Sequence, residues 1–561
     1  MWGALLAILV VGFYLRWHQL TIQILSDDEW HAVRTAVRES YGEMVVGFSV
    51  SAVPLIAMIY KAIHDNLGAS ELSFRMPMLL SGLALILVFP RVLPAGTLSR
   101  RGQVALAGLV AISPLLIYFS RYARPYAPSV LLSTVGLFAF YRWFQREPGR
   151  WGSLFVVCAV LGPAFHLTSV TTMAAPFAWA FYQCWRGRGE RSMSEIWRLG
   201  FLSGGLVLLA IGPPILLDFR AIDERAGASP GVTYTSFSEA LPLLAGQGGW
   251  AVWPVVAAAV LGLVLLARRM PSLASFLAWA TLVTVVASVL SKADSVQVPI
   301  VLVRYSLWLA PFFLLLVAVA VGALLDRLPA MAAWPALAVL LGLLFVAGPW
   351  LPVYGRVNSW THHAIYQYTY SDESPYSYER RPPHVPPLYH QLAAEPPGSL
   401  TIAEAPYYYE WHNNLVVYYQ EIHRQRVVAG MLGIACDRMA INMLPSTGTG
   451  LELNNAVNVS RYSDLVKHRV DLVIFHKNTF QEMPRFFRNA ARVPPTNLPP
   501  QTSVERCLPR YRKMLGAPFY EDEYLVAFDF RKAPPEVVDE QLFFKDSFES
   551  GDLSSWSKVV P

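Results

Sequence analysis

The sequence predicts a polytopic α-helical membrane protein with a C-terminal extracytoplasmic α/β domain. Three observations point there. Of 561 residues, 54% are hydrophobic and only 15% are charged, where a soluble globular chain carries about 25% charged residues. Apolar segments long enough to cross a bilayer, about 17–25 residues each, recur from the start to residue 350. Past Val353 the composition turns to Pro, Tyr and His, and then to short β-like runs.

The first apolar run, Trp2 to about Leu25, has no basic leader and no small-x-small cleavage site, and it carries Arg16 late. It is therefore expected to remain as a membrane helix rather than be removed as a signal peptide. Further spans are expected near 77–95, 103–120, 126–143, 152–168, 169–185, 199–217, 249–267, 272–290, 303–323 and 331–350, for about 11–13 membrane helices. Basic clusters stand at Arg100-Arg101, Arg142 to Arg150, Arg186 to Arg198, Arg268-Arg269 and Arg327. Positive-inside counting puts them in the cytoplasm. The loops 26–76, 121–125, 218–248 and 291–302, and everything after Trp350, then fall outside. Arg16 sits beyond the middle of the first span and must either snorkel or pair with an acid. Val45 to Tyr60 is apolar but short, with Pro54 inside it, and is expected to lie at the outer leaflet or dip into it.

The chain thus divides into a membrane domain at 1–350 with its first outer loop at 26–76, a Pro/Tyr-rich linker at 351–398, an α/β domain at 399–535 and a flexible tail at 536–561. The runs Leu400 to Ala403, Val427 to Ala429, Val470 to Phe475 and Tyr524 to Phe528 are apolar on both faces, as buried strands are. The net charge of +6 reflects Lys and Arg in loops and does not point to nucleic acid. Cys158 and Cys184 lie in apolar runs and read as packing residues. Cys436 and Cys507 can pair if they lie outside the cytoplasm and the geometry allows it.

Four groups of residues bear on chemistry. Asp27-Asp28-Glu29 directly follows the first apolar run. A carboxylate there suits a general base acting on an acceptor hydroxyl; equally, Asp28 suits the N-cap of a following helix in a solvated loop. Arg121 and Arg124, in the outer segment Ser120 to Tyr126, run against the positive-inside trend. Their planar guanidinium groups suit a phosphate, and an interfacial Arg/Tyr anchor is the plainer alternative. Arg304-Tyr305 opens a late span after an outer loop with Lys292 and Asp294, at the depth of a lipid phosphate or of a snorkelling arginine. His166 stands alone in an apolar stretch, where packing is the ordinary role. Scattered His362, His363, His384, His390 and His412 show no HExxH-like spacing. No glycine-rich phosphate loop is present, which argues against a nucleotide-driven cytoplasmic enzyme.

At these residues the chain resembles the GT-C glycosyltransferases of the protein O-mannosyltransferase and aminoarabinose-transferase type, which use polyprenyl-phosphate sugars. Ser26 to Trp30 resembles the acidic first-loop motif. Gly68 to Pro77, followed by Gly82, resembles the G-x-S-E-x-x-x-R-x-P segment and contains Arg75. Ser113-Pro114 with Ser120 to Tyr126 resembles the S-P…S-x-x-A-R-x-Y segment. His166 resembles a histidine after the next helix, and Arg304-Tyr305 with Pro311 resembles the R-Y-x-x-x-x-x-P segment. The resemblance covers about residues 1–325. Asp27 is an extra acid, and only Pro54-Leu55 remains of the family's usual His-Pro-Pro or Lys-Pro.

The resemblance implies inverting transfer of a sugar from a polyprenyl-phosphate donor to a hydroxyl or similar acceptor on a protein, lipid or glycan, at the outer side of the membrane. The tail Asp546 to Asp552 resembles a short module at the ends of some bacterial exported proteins, which points to a bacterial inner membrane. The GT-C resemblance implies Asp28 as general base, with Glu29 or Asp27 binding or orienting. Arg124, Arg304 and Arg121 become the donor-phosphate cations; Tyr126, His166, Tyr305 and Arg75 are candidate pocket residues. No cofactor is called for, and a divalent cation is left open. Tyr366, Tyr368, Tyr370, Tyr407, Tyr408, Tyr409 and Trp411, all past residue 350, read as core and interface aromatics first and sugar platforms second. A transporter or an O-antigen-ligase-like polysaccharide protein is the competing reading. Transport would call for paired broken helices in repeated halves, and no internal repeat is evident in the sequence.

Overall fold

The computed structural model describes residues 2–18, 20, 24–25, 29, 40–46, 54–68, 70–217, 231–291, 296, 299–348, 385–407, 415–431, 456–459, 461–477 and 503–532. The expected linker up to residue 384, the tail, Cys436, and the acids Asp27 and Asp28 lie outside the described residues.

Each of the eleven expected apolar segments is occupied by a helix or a bent helix pair. Among the described residues, five helices are long and apolar enough to cross a membrane: Glu71–Val92, Met193–Leu217, Gly249–Arg269, Pro271–Leu290 and Ala330–Ala347. The number rises to seven if each bent pair is one span. The others, Trp2–Trp17, Tyr126–Phe144, Trp151–Phe165 and Ser169–Trp185, are shorter or less apolar. Leu206, Leu208 and Leu209 on Met193–Leu217 are exposed, as expected where lipid rather than water covers the helix. The protein is a multi-pass helical membrane protein.

Inside, the helices Tyr126–Phe144, Trp151–Phe165, Ser169–Trp185 and Pro271–Leu290 meet through an aromatic cluster. Phe140 packs edge-on against Phe155 and Phe177, and Trp179 against Phe144 and Phe276. Gly262 lies so close to the neighbouring helix that a Cβ there would stand 1.8 Å from the Leu316 carbonyl oxygen. Only glycine permits that backbone approach.

Two helix pairs are sharply bent. Arg100–Ile112 and Pro114–Ser120 meet at 59°, and Pro299–Tyr305 and Leu309–Leu325 at 85°. Pro114 stands at the start of its helix, where its missing N–H costs nothing; it cannot continue the helix before it. That break strands the last carbonyls of Arg100–Ile112, and Arg16 takes them. Its guanidinium donates to Ala111 O at 2.9 Å, Val110 O at 3.2 Å and Gly12 O at 3.0 Å. Arg16 therefore does not snorkel. It is fully buried and supplies donors to a helix C-terminus, where orphan carbonyls and the helix dipole both favour a cation.

The helix Pro54–Leu67 has 14 residues, about 21 Å of rise, short of the roughly 30 Å hydrocarbon core. It covers the second half of the apolar segment expected to lie at the leaflet.

The C-terminal domain is a six-stranded sheet in the order β3-β2-β1-β4-β6-β5. The strands are β1 Thr401–Ala405, β2 Arg426–Met431, β3 Ala456–Asn458, β4 Leu472–His476, β5 Tyr520–Glu521 and β6 Leu525–Asp529. β3, β2, β1 and β4 run parallel, while β6 and β5 close the edge antiparallel. In register, Ile402 of β1 lies between Val427 and Leu472. Alternation along the strands feeds two core layers. Ala403, Val473, Phe475 and Phe528 pack with Tyr511 and Met514 of the helix Ser503–Leu515. Ile402, Leu472 and Ile474 pack with Tyr389 and Tyr419.

The two domains share one apolar cluster. Ile24, Leu25, Ile56, Tyr60, Phe74 and Met78 of the membrane domain pack with Tyr407, Val416, Val427 and Ala429 of the sheet domain. The end of the first span, the start of the Glu71–Val92 helix and strand β2 thus converge at one place.

Candidate active site

The helix Glu71–Val92 starts with a capping box on Ser70 and Ser73. The cap satisfies two orphan N–H groups and determines where the helix begins. One turn in, it presents Arg75, which is 1% exposed. A buried guanidinium needs compensating charge and a full set of acceptors. Glu29, fully buried, supplies both oxygens: Arg75 Nε lies 2.9 Å from Oε1 and Nη2 lies 2.7 Å from Oε2. Arg75 also donates to the carbonyls of Leu20, at 2.8 Å, and Ile24, at 3.2 Å. The Ala123 N–H completes Glu29 Oε1 at 2.7 Å. The last residue of the acidic triplet is thus held by a bidentate arginine and one backbone amide, and Arg75 ties Leu20, Ile24 and Glu29 to the Glu71–Val92 helix. Tyr60, which the sequence reading passed over, is buried beside the group and feels the charges of Glu29, Arg124 and Arg75.

A second group lies immediately along the chain from Ala123. Segment 121–126 follows the bent pair that ends at Ser120. It makes tight backbone turns, with Arg124 N–H on Tyr122 O and Tyr126 N–H on Arg124 O. The guanidinium carbons of Arg124 and Arg304 lie 6.0 Å and 5.7 Å from the centre of the Tyr126 ring. Arg304, at the end of Pro299–Tyr305 and beside the other helix break, also lies 5.3 Å from the Tyr305 ring. The His166 ring stands 5.1 Å from Tyr126 and 6.2 Å from Tyr305, and its Nδ1 is 2.7 Å from Thr168 Oγ1. The aromatic rings between the two cations share their charge through cation–π contact.

The structure therefore brings together Arg124, Arg304, Tyr126, Tyr305 and His166, and separately Glu29 with Arg75. One short segment joins the two groups, Ala123 touching Glu29 and Arg124 beginning the cationic cluster. Arg121 turns the other way: its Nη1 donates to the Arg16 carbonyl at 2.7 Å, at the end of Trp2–Trp17. Arg16 in return reaches Ser120 Oγ at 3.3 Å. Gly82 is part of this contact, since a Cβ there would lie 2.0 Å from Ser120 Oγ. Tyr60, Tyr407 and Gln420 carry no motif, and their only signal in the sequence is membership of apolar or aromatic runs.

The α/β domain holds a second titratable cluster. Glu404 of β1 and His476 of β4 stand at the carboxyl ends of adjacent parallel strands, and His423 ends the helix Leu415–His423. His476 Nε2 is 3.0 Å and His423 Nε2 is 3.4 Å from the Glu404 oxygens. Tyr389 donates its hydroxyl to Glu404 at 3.2 Å. The Gln425 N–H donates to His423 Nδ1 at 3.0 Å, so the His423 proton sits on Nε2, facing the carboxylate. Burial by itself would raise the Glu404 carboxyl, but the two imidazoles overcome it and hold the group below its ordinary value of 4.5. Among the described residues, no group of three or more His, Cys, Asp or Glu is arranged to hold a metal ion.

No family model matches the chain, and no curated protein matches it. In structure it is similar to ArnT from Cupriavidus metallidurans bound to undecaprenyl phosphate, at a TM-score of 0.45 and 12% identity, over 95% of this chain and 99% of that one. The apo state of the same protein gives a TM-score of 0.45 and 14% identity over the same shares. The chain is also similar to the archaeal oligosaccharyltransferase AglB from Archaeoglobus fulgidus in complex with an inhibitory peptide and a dolichol-phosphate. There the TM-score is 0.45 and the identity 11%, over 100% of this chain and 81% of that one.

Proposed function

We propose that the protein is a GT-C membrane glycosyltransferase that moves a sugar from a polyprenyl-phosphate donor to a hydroxyl acceptor at the outer side of the membrane. The observation that carries this reading is the pair of arginines, Arg124 and Arg304, facing one tyrosine ring, Tyr126, next to the segment whose Ala123 amide holds Glu29. Two cations from distant parts of the chain, Arg124 in the turn between two helices and Arg304 beside a helix break, suit an anion at the membrane interface. A lipid phosphate is the anion available at that depth.

In this reading Asp28 takes the proton of the acceptor hydroxyl as its oxygen attacks the anomeric carbon. The bond from that carbon to the phosphate oxygen breaks, and the polyprenyl phosphate leaves with the bonding pair. Arg124 and Arg304 stabilise the charge gathering on it. Single displacement inverts the anomeric centre. Glu29 orients the loop through Arg75, and Asp27 assists at the acceptor. No nucleotide takes part. The chain would sit in a bacterial inner membrane with its α/β domain outside, and membrane lipids would surround the spans.

The test is direct. Membranes containing the protein are supplied with a panel of polyprenyl-phosphate sugars, and labelled products are identified by mass. Transfer by the wild type and its loss in Asp28→Asn, with membrane insertion unchanged, is the expected result. Transfer that survives in Asp28→Asn removes the base assignment, and transfer from none of the donors removes the reading.

A further inference from the structure

We infer that the α/β domain is a positioning element for the acidic loop, acting through Tyr407 and Gln420. The inference rests on the proposed function for its catalytic consequence and on geometry for its structural one.

Ile24 and Leu25 are buried, so their backbone polar groups need partners. The partners come from opposite domains. The membrane domain supplies Arg75 to the Ile24 carbonyl at 3.2 Å. The α/β domain supplies the other two: the Tyr407 hydroxyl donates to the Leu25 carbonyl at 2.9 Å, and Gln420 Oε1 accepts the Ile24 N–H at 3.4 Å. Both side chains are themselves held. The Tyr407 N–H donates to the Gly430 carbonyl on β2 at 2.9 Å, and its ring is buried in the cluster that joins the domains. Gln420 Nε2 donates to the Gln425 carbonyl at 3.0 Å, which turns its oxygen toward Ile24.

The consequence concerns the residues between. Leu25 is anchored by Tyr407, and Glu29 by Arg75 and Ala123. Only Ser26, Asp27 and Asp28 separate those two anchors. Four peptide steps span at most about 15 Å, so the reach of both acids is set by two fixed points, one contributed by a domain nearly 400 residues later in the chain. Tyr407 and Gln420 are positioning residues: they act through the backbone of Ile24 and Leu25.

The experiment uses the full chain in detergent or nanodiscs, carrying Tyr407→Phe, which removes the hydroxyl and keeps the ring, or Gln420→Met, which keeps the side-chain length. Hydrogen–deuterium exchange is read by peptide. The expected result is roughly tenfold faster exchange across 24–31, from loss of one buried hydrogen bond, with strands β1 and β4 unchanged. In the transfer assay, kcat falls by roughly tenfold while KM for the lipid-linked donor stays at the wild-type value. Unchanged exchange across 24–31 in both variants overturns the inference, and so does unchanged kcat in both. A wild type that transfers no sugar sinks the proposed function alone, because the exchange measurement still decides whether the α/β domain holds the loop.

Discussion

Arg75 and Glu29 form a bidentate pair, Nε to Oε1 at 2.9 Å and Nη2 to Oε2 at 2.7 Å, with both side chains essentially removed from solvent. They lie 46 positions apart, one after the first apolar run and one in the helix Glu71–Val92. Charges this buried are costly to leave alone, whatever the pair contributes as a whole. Arg75→Ala should therefore lower stability by about 3–5 kcal/mol, the cost of an uncompensated buried charge. The double variant Glu29→Leu/Arg75→Met should recover most of that loss. Unfolding midpoints of the detergent-solubilised proteins decide it, and a double variant no more stable than Arg75→Ala would show that the pair is not the source of the effect.

Arg121, Arg124 and Arg304 should separate by function. Arg304→Ala and Arg124→Ala are expected to raise the KM for a lipid-phosphate donor by at least tenfold, with little change in unfolding midpoint. Arg121→Ala is expected to do the reverse. Its Nη1 serves the Arg16 carbonyl, so its loss should cost about 1–3 kcal/mol of stability and leave donor affinity near wild type. Donor titrations beside thermal melts of the three variants test the division.

Gly82 should tolerate no side chain. A Cβ would meet Ser120 Oγ at 2.0 Å and Ser120 Cβ at 2.6 Å, so Gly82→Ala should destabilise by about 1–3 kcal/mol through overpacking. Ser120→Ala leaves its own Cβ in the way and should not rescue the protein, whereas Ser120→Gly should. Melting temperatures of the two double variants give the answer.

The Glu404 cluster predicts a pH dependence of the α/β domain. Because the folded carboxyl lies below its ordinary 4.5, its contribution is present in full above about pH 4.5. It is lost as the pH falls through the lower folded value, where the native state finally takes up the proton. Glu404→Gln should remove that acid-dependent component and lower stability at neutral pH by about 1–3 kcal/mol, since the facing histidines lose a buried carboxylate acceptor. Urea unfolding of the full-length protein, followed by tryptic peptides of 401–477 between pH 3 and 7, tests both parts.

Much of the architecture was legible in the residues themselves. The length and apolarity of each span are local properties, and every expected apolar segment became a helix. The four β-like runs became β1, β2, β4 and β6, because a strand buried on both faces shows itself as a short, mostly apolar run. Arg16, by contrast, read as a snorkelling or acid-paired residue. Its partners are carbonyls some 95 positions away, freed by a helix break at Pro114 that hydropathy does not register.

The acidic triplet shows the same division within a few residues. The residue order is enough to place carboxylates after the first apolar run, and arginines in segment 121–126 and at the start of the late apolar run. Hydropathy and charge order are written residue by residue. Only the tertiary structure decided that Glu29 is taken up by Arg75, that Arg124 and Arg304 face one tyrosine, and that Tyr407 and Gln420 reach back to the first loop. Those relations depend on how bent helices and a distant sheet pack against one another. A hydrogen bond between residues 25 and 407 leaves no periodic trace in either stretch of chain.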